Sequence, residues 1–453
     1  MGISDELLGP AVICGILVVA LVAFAPRYMI LLTWPIVFCY PQKALMGLLP
    51  LNAGLDDVYV LLVATRMLLP RGGRLPAEWA KPVVALAVGL LIMEAIGEFT
   101  GAQQDPNLKV KAIKASLKAG IFMLFTLALA LDIRNERDVY RHLLGFTFAA
   151  SLAYLLVLAC FIYPSLAVHW EVYVEEAERW YEVTEAERRA FGPFNRAGSV
   201  GVAVCGTLPL AIGLLVHKPR RKPLTILALV MVVSGLGALL LAKSRLGMFG
   251  IAGMLAIMTL LSKQRKYAIA LELAAIVVLV GVLSGTDVFA AAQERLRTHK
   301  VLYDLGTRAR IWYGVIENPS PWIGLFGEGY HGLANRMGIS AHNWYLDVLY
   351  AWGVGGLILF TLLIVFAIRW ARYVSRYDPD PRCRAVAWGL LWALVASAFA
   401  AVATDPWDRH IYRMTIYFTM VVACLRYNVL RKQRAAAAAA EVQQQNRALL
   451  GAR

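Results

Sequence analysis

Ala341-His342-Asn343-Trp344-Tyr345-Leu346-Asp347 runs directly into Val348–Ile368, an apolar stretch with no acid or base before Arg369. A continuous run of that length reads as a membrane-crossing helix, and the polar string ahead of it as the loop from which it enters the bilayer. His342 therefore stands with water on one side and low dielectric on the other, the setting in which an imidazole is tuned for proton transfer.

Runs of the same kind recur along the chain. Of 453 residues, 59% are hydrophobic, and the mean hydropathy of +0.61 lies far outside the soluble range. The runs are continuous, not alternating, which excludes a transmembrane barrel. The expected fold is all-α: a polytopic integral membrane helical bundle with spans near 8–25, 28–46, 54–69, 82–100, 116–132, 142–163, 198–216, 224–241, 246–262, 267–284, 344–368, 385–404 and 411–427. That makes twelve or thirteen transmembrane helices in one domain over residues 1–430, followed by a short cytoplasmic tail, 431–453. The first run reads as a retained span and not a secretory signal, because residues 1–10 are acidic and a second run follows at once.

Basic clusters set the orientation. His217-Lys218-Pro219-Arg220-Arg221-Lys222, Lys263-Gln264-Arg265-Lys266, Arg369 to Arg384 and Arg426 to Arg434 read as cytoplasmic and alternate correctly with the spans between them. The two larger polar loops, about 165–196 and 284–342, then face the other side, the periplasm of a bacterial inner membrane. Topology accounts for most of the net charge of +15, so nucleic acid is not an expected partner. Five of the six cysteines sit inside apolar runs and show no disulfide framework; they read as small buried hydrophobes. The histidines show no ligand spacing such as HExxH, so neither a protein-held metal nor a cofactor is expected. No internal repeat is visible, which disfavours inverted-repeat transporters.

The second loop holds most of the chemistry. Thr307 is placed to cap a helix through Arg308, Arg310, Trp312 and Glu317, ended by Asn318-Pro319-Ser320-Pro321. Two guanidinium forks near the positive dipole end of such a helix suit a pyrophosphate. The plainer alternative makes both arginines interfacial anchors or partners of Asp304 and Glu317. Lys243-Ser244-Arg245 fills a connection so short that Arg245 sits at the interface, where an unpaired charge costs about 2–3 kcal/mol unless it snorkels, so an anion is expected nearby. Lys111, Lys114 and Lys118 share a helix face and are placed to receive a lipid phosphate or to touch the bilayer surface.

The remaining polar and aromatic groups carry less. Glu94, Glu98 and Glu272 lie in or near spans without evident partners. Gly324 to Tyr330 is glycine-rich but does not open a helix as a phosphate-cradling loop does. Trp312, Tyr330 and Tyr345 belong to an aromatic group on the same side, suited to stacking against sugar rings or to an interfacial belt.

The string His342-Asn343, nine residues, then Gly353-Val354-Gly355-Gly356 resembles the histidine motif of the O-antigen ligases, a family related to O-antigen polymerases and to bacterial protein O-oligosaccharyltransferases. Ser244-Arg245 at the end of a span, and an arginine-bearing helix followed by Pro321 to Gly329, are similar as well. The resemblance covers roughly residues 200–430; the N-terminal half matches only in hydropathy. It implies an inverting, metal-independent glycosyltransferase whose donor is an undecaprenyl-pyrophosphate-linked glycan and whose acceptor is the lipid A core or another glycan. By position, His342 would be the base, and Arg245 with Arg308 or Arg310 would hold the pyrophosphate. Lys243 would assist them, and Asn343 and Asp347 are candidates to orient the imidazole. Ligase is the first expectation, polymerase or protein transferase the alternatives within the enzyme class. A lipid-linked oligosaccharide flippase or a scaffold would have the same composition without needing His342.

Overall fold

The computed structural model describes residues 26–39, 55–68, 81–102, 108–163, 166, 192–194, 197–217, 222–261, 298–317, 325–330, 332, 343–402 and 410–451. Its helices are α1 (Pro26–Cys39), α2 (Leu55–Leu68), α3 (Lys81–Ala102), α4 (Leu108–Asp132), α5 (Glu136–Ile162), α6 (Ala197–His217), α7 (Lys222–Leu241), α8 (Arg245–Leu261), α9 (Thr298–Glu317), α10 (Trp344–Tyr377), α11 (Pro381–Ala401) and α12 (His410–Gly451). Among the described residues seven helices, within α3, α4, α5, α6, α7, α10 and α11, are long and apolar enough to cross a membrane, and α8 is a shorter apolar helix. The protein is an all-α, multi-pass membrane helical bundle. The expected spans near 8–25 and 267–284 lie outside the described residues; those near 28–46 and 54–69 correspond to α1 and α2, each described over 14 residues.

Local chemistry fixes where helices begin. Asn135 caps α5 by accepting from the N–H groups of Arg137 and Asp138, and Glu136 and Asp138 complement the first-turn dipole. Asp380 caps α11, which opens on Pro381, a residue pre-set for the first helical position.

The most enclosed span is α6, and glycines let its neighbours reach it. A Cβ on Gly213 would come within 2.7 Å of the Ala385 carbonyl, and one on Gly389 within 2.6 Å of the Leu210 Cα, so α6 and α11 cross backbone to backbone. A second knot surrounds Trp34 of α1, whose ring meets Phe125 of α4, Phe146 of α5 and Phe418 of α12 edge-on at 5.1–5.3 Å. His142 is buried beside it, bonded through Nε2 to Asp132 at 2.9 Å.

One end of the bundle is closed by ion pairs. Arg426 of α12 forks onto Asp378 at 2.6 and 2.8 Å and reaches Glu136 of α5 at 3.1 Å. Arg382 binds Asp380 at 2.6 Å. Burial pushes the Asp380 carboxyl up, but the hydrogen bonds and charge of Arg382 outweigh it and hold it below the usual carboxylate range.

Two expectations are corrected, and the form of the tail is added. The helix expected to start at Thr307 starts at Thr298, so Thr307 lies inside it. The span expected over 344–368 extends to Tyr377, carrying Arg369, Arg372 and Arg376 on helix, and it is broken at Gly353, whose φ of 67° belongs to no right-handed helix. The tail beyond residue 430 continues α12 without interruption.

Candidate functional site

The end of the bundle opposite the ion-pair closure gathers the N-termini of α6, α8, α10 and α12 with the C-termini of α3, α7 and α11. There α7 turns into α8 through Ala242-Lys243-Ser244. Lys243 has φ 49° and is, among the described residues, the one non-glycine with a positive φ. It is buried all the same, as is Ser244. A bulky residue held in this region costs about 1–3 kcal/mol and persists only where its surroundings impose it. The surroundings are two glycines: a Cβ on Gly201 of α6 would overlap Ser244 Oγ, and one on Gly247 of α8 would overlap the Gly201 backbone. Ser244 sits at the N-cap of α8, its carbonyl accepting from Met248 N–H at 3.0 Å and its Oγ facing Gly247 N–H at 3.5 Å. Arg245 is the first residue of α8 and half-buried.

The union of an arginine with a helix N-terminus, expected at Arg308 and Arg310, is thus found at Arg245. Arg308 and Arg310 lie in mid-helix, where N–H groups are already bonded and the dipole contributes little. They differ from one another. Ile311 and Val315 of α9 pack on Leu346, Leu349 and Tyr350 of α10. Arg308, seven residues before Val315, lies in line with that packed face and is half-buried, whereas Arg310 points well away from it and is exposed. Trp312 is half-buried; Tyr313 is exposed, and its hydrogen bond with Glu317 holds its phenol above the ordinary value.

The start of α10 is anchored from three sides. Asn343 Oδ1 accepts from the N–H groups of Tyr345 and Leu346, a helix cap, so this oxygen is committed to the backbone and not to an imidazole. Tyr345 donates its hydroxyl to Ala398 O of α11 at 3.1 Å, so it acts as a brace and not as a free sugar platform. Asp347 is fully buried. The turn Leu325–Tyr330 fills the break at Gly353: Glu328 N–H donates to Tyr350 O at 2.9 Å, and Gly327 and Gly329 take φ of 68° and 69° where any Cβ would strike the backbone of Ala351 or Glu98. Tyr330 stacks on Trp344 with ring centres 6.0 Å apart, and Trp344 meets Trp352 edge-on at 5.4 Å. The glycine-rich segment is a packing device, and Tyr330 is part of it. His342 lies outside the described residues, immediately before the cap Asn343.

Two carboxylates expected to lack partners have them. Glu98 Oε1 accepts from Tyr330 N–H at 2.8 Å, and Glu94 faces Arg413 of α12 at 3.4 Å, both side chains buried. Arg413 was not among the expected site residues; a guanidinium three residues into an apolar run is the sequence signal that marks it.

The lysines occupy a separate flank. Lys114 and Lys118 of α4 line a groove of about 600 Å³ whose other walls include Val58 and Leu61 of α2 and Leu91 and Phe99 of α3. An apolar trough with ammonium groups at its rim matches an acyl or prenyl chain ending in phosphate. Lys111 is exposed on the same helix, outside the lining. Among the described residues no three His, Cys, Asp or Glu side chains group as metal ligands.

The structure thus brings Arg245, Asn343 and Tyr345 around the same end of α11, since Gly250 of α8 backs onto Ala396 and Ala400 while Tyr345 bonds Ala398. It sets Arg308 on the α10 face and the lysine groove on the far side of α3. No protein-family model matches the chain, and no curated protein matches it in sequence.

Proposed function

We propose that the protein is a glycosyltransferase that moves a glycan from undecaprenyl pyrophosphate to a saccharide acceptor, at the periplasmic face of a bacterial inner membrane. The observation that carries this reading is Arg245: a half-buried guanidinium on the first residue of α8, fixed by a strained lysine turn locked between Gly201 and Gly247. A helix N-terminus, its dipole and a planar fork together make a seat for a pyrophosphate. Arg308 supplies the second cation from the face of α9 that packs on α10.

In this mechanism His342 takes the proton from an acceptor hydroxyl as the oxygen attacks the anomeric carbon. The new O–C bond forms on the face opposite the departing phosphate, so the configuration inverts. The pyrophosphate leaves with the bonding electron pair, its growing charge met by Arg245 and Arg308. The sequence resemblance favours the lipid A core as acceptor, which makes the protein an O-antigen ligase; the related polymerase reaction uses the same groups on a lipid-linked acceptor.

The test is transfer by purified full-length protein in detergent, with an undecaprenyl-pyrophosphate glycan, EDTA throughout, and lipid A core either present or absent. Product that needs the core supports the ligase reading. Lengthened lipid-linked glycan without core makes the protein a polymerase. No product in either case, with glycolipid transport in vesicles that survives His342→Ala, replaces the enzyme with a flippase.

A further inference from the structure

At the ion-pair end, α10 presents a single face on which Ile358, Leu362 and Val365 are followed by Arg369, Arg372 and Arg376, at alternating spacings of four and three residues. The three apolar members are 55%, 42% and 53% exposed, and the arginines are exposed too. Among the described residues none of these arginines forms an ion pair. They border a cavity of about 830 Å³ that is also lined by His217 of α6, Trp388 of α11 and Tyr427 of α12. Arg434 closes the rim by stacking over Tyr377 at 3.9 Å.

Two buried nitrogens are unsatisfied, one lining this cavity and the other close behind it. His217 Nε2 makes no hydrogen bond, and neither does Nε of Arg384, whose charge acts on the His217 ring. A buried polar atom without a partner costs about 1–3 kcal/mol, so acceptor oxygens brought into the cavity relieve a standing penalty. Snorkelling explains arginines at a membrane surface. It does not explain a cavity with three guanidinium groups at its rim and an orphaned histidine nitrogen in its wall.

We propose that this cavity binds an anionic phospholipid, with an acyl chain along Ile358, Leu362 and Val365 and the phosphodiester held by Arg369, Arg372 and Arg376. A soluble anion would meet the arginines alone, whereas a lipid also reaches the bilayer-facing stripe that adjoins them. A zwitterionic lipid would bring its own cation against three guanidinium groups. The site is independent of the glycosyl-transfer chemistry and lies at the opposite end of the bundle. Its role is to tie α6, α10, α11 and α12 together through one headgroup.

The test uses the full-length protein in neutral detergent, with dioctanoylphosphatidylglycerol, dioctanoylphosphatidylcholine or inorganic phosphate as probe. Thermal unfolding should show a saturable stabilisation by the glycerol lipid alone, and native mass spectrometry should retain one such lipid per chain. Arg369→Gln with Arg372→Gln and Arg376→Gln should weaken binding about tenfold or more, while Arg431→Gln with Lys432→Gln, exposed charges on α12 at the same end, should leave it unchanged. Single Arg369→Gln and Arg372→Gln variants give smaller losses in the same direction should the triple variant fail to fold. Equal stabilisation by the choline lipid or by phosphate, or an undiminished glycerol-lipid response in the arginine variants, overturns the proposal.

Discussion

The carboxylate of Glu98 in α3 accepts a 2.8 Å hydrogen bond from the backbone N–H of Tyr330, 232 positions further along the chain. Through this bond the third helix fixes the turn that fills the break in α10. Glu98→Ala strands the N–H and should cost about 1–3 kcal/mol, whereas Glu98→Gln keeps an acceptor and should cost under about 1 kcal/mol. Thermal unfolding of both variants in detergent decides it; equal losses would mean the contact is incidental.

The Glu94–Arg413 pair is buried on both sides. Removing one partner leaves a buried charge, so Arg413→Ala should destabilise by about 3–5 kcal/mol, while Glu94→Leu combined with Arg413→Met should recover most of that loss. A double variant as unstable as the single would show that the charges serve more than each other.

Gly247 and Gly120 are both helical glycines in opposite circumstances. A Cβ on Gly247 overlaps the Gly201 backbone, and one on Gly120 meets nothing within 4 Å. Gly247→Ala should lose about 1–3 kcal/mol and displace the Lys243–Arg245 turn. Gly120→Ala should gain up to about 1 kcal/mol from helix propensity. Stability curves and transfer assays run together check whether the turn and the activity move as one.

Lys243 occupies a backbone conformation suited to glycine. Lys243→Gly should therefore relieve about 1 kcal/mol of backbone strain, set against the loss of a buried side chain, while lowering glycan transfer. Gain of both stability and activity would remove Lys243 from the site.

Arg308 and Arg310 should separate in kinetics as they do in burial. Arg308→Ala should reduce transfer about 10–100-fold, the range of one lost charge-assisted bond, and Arg310→Ala should stay within about twofold of the parent. The reverse order, read in a donor-titrated assay, would place the other arginine on the pyrophosphate.

Hydropathy made the long spans legible, because the seven long apolar helices need only length and composition to be seen. It did not place the start of α9, since Thr307 has the look of a cap yet lies inside a helix that begins at Thr298. Arg308 against Arg310 was undecidable because neighbours in sequence diverge by helical phase, and phase needs a second helix, here α10 against Ile311 and Val315, to give it meaning. The Glu94 and Glu98 partners lie hundreds of positions away, beyond any local pattern. Lys243 gives no sequence signal for its conformation, because lysine is not a residue that the left-handed region selects.

Gly353 has a further effect on how α10 is assembled. A continuous helix would carry one angular setting from Trp344 to Tyr377, so that any rotation demanded at one end would be transmitted to the other. With the phase reset at Gly353, the nine residues from Trp344 to Trp352 are set by Asn343, Tyr330, α9 and the Tyr345 bond to α11, and the remainder by the helices that pack on the span. The entrance segment and the span thus differ in helical phase, and the packing of Trp344 and Trp352 against Phe360, not a continuous backbone, carries alignment from one to the other.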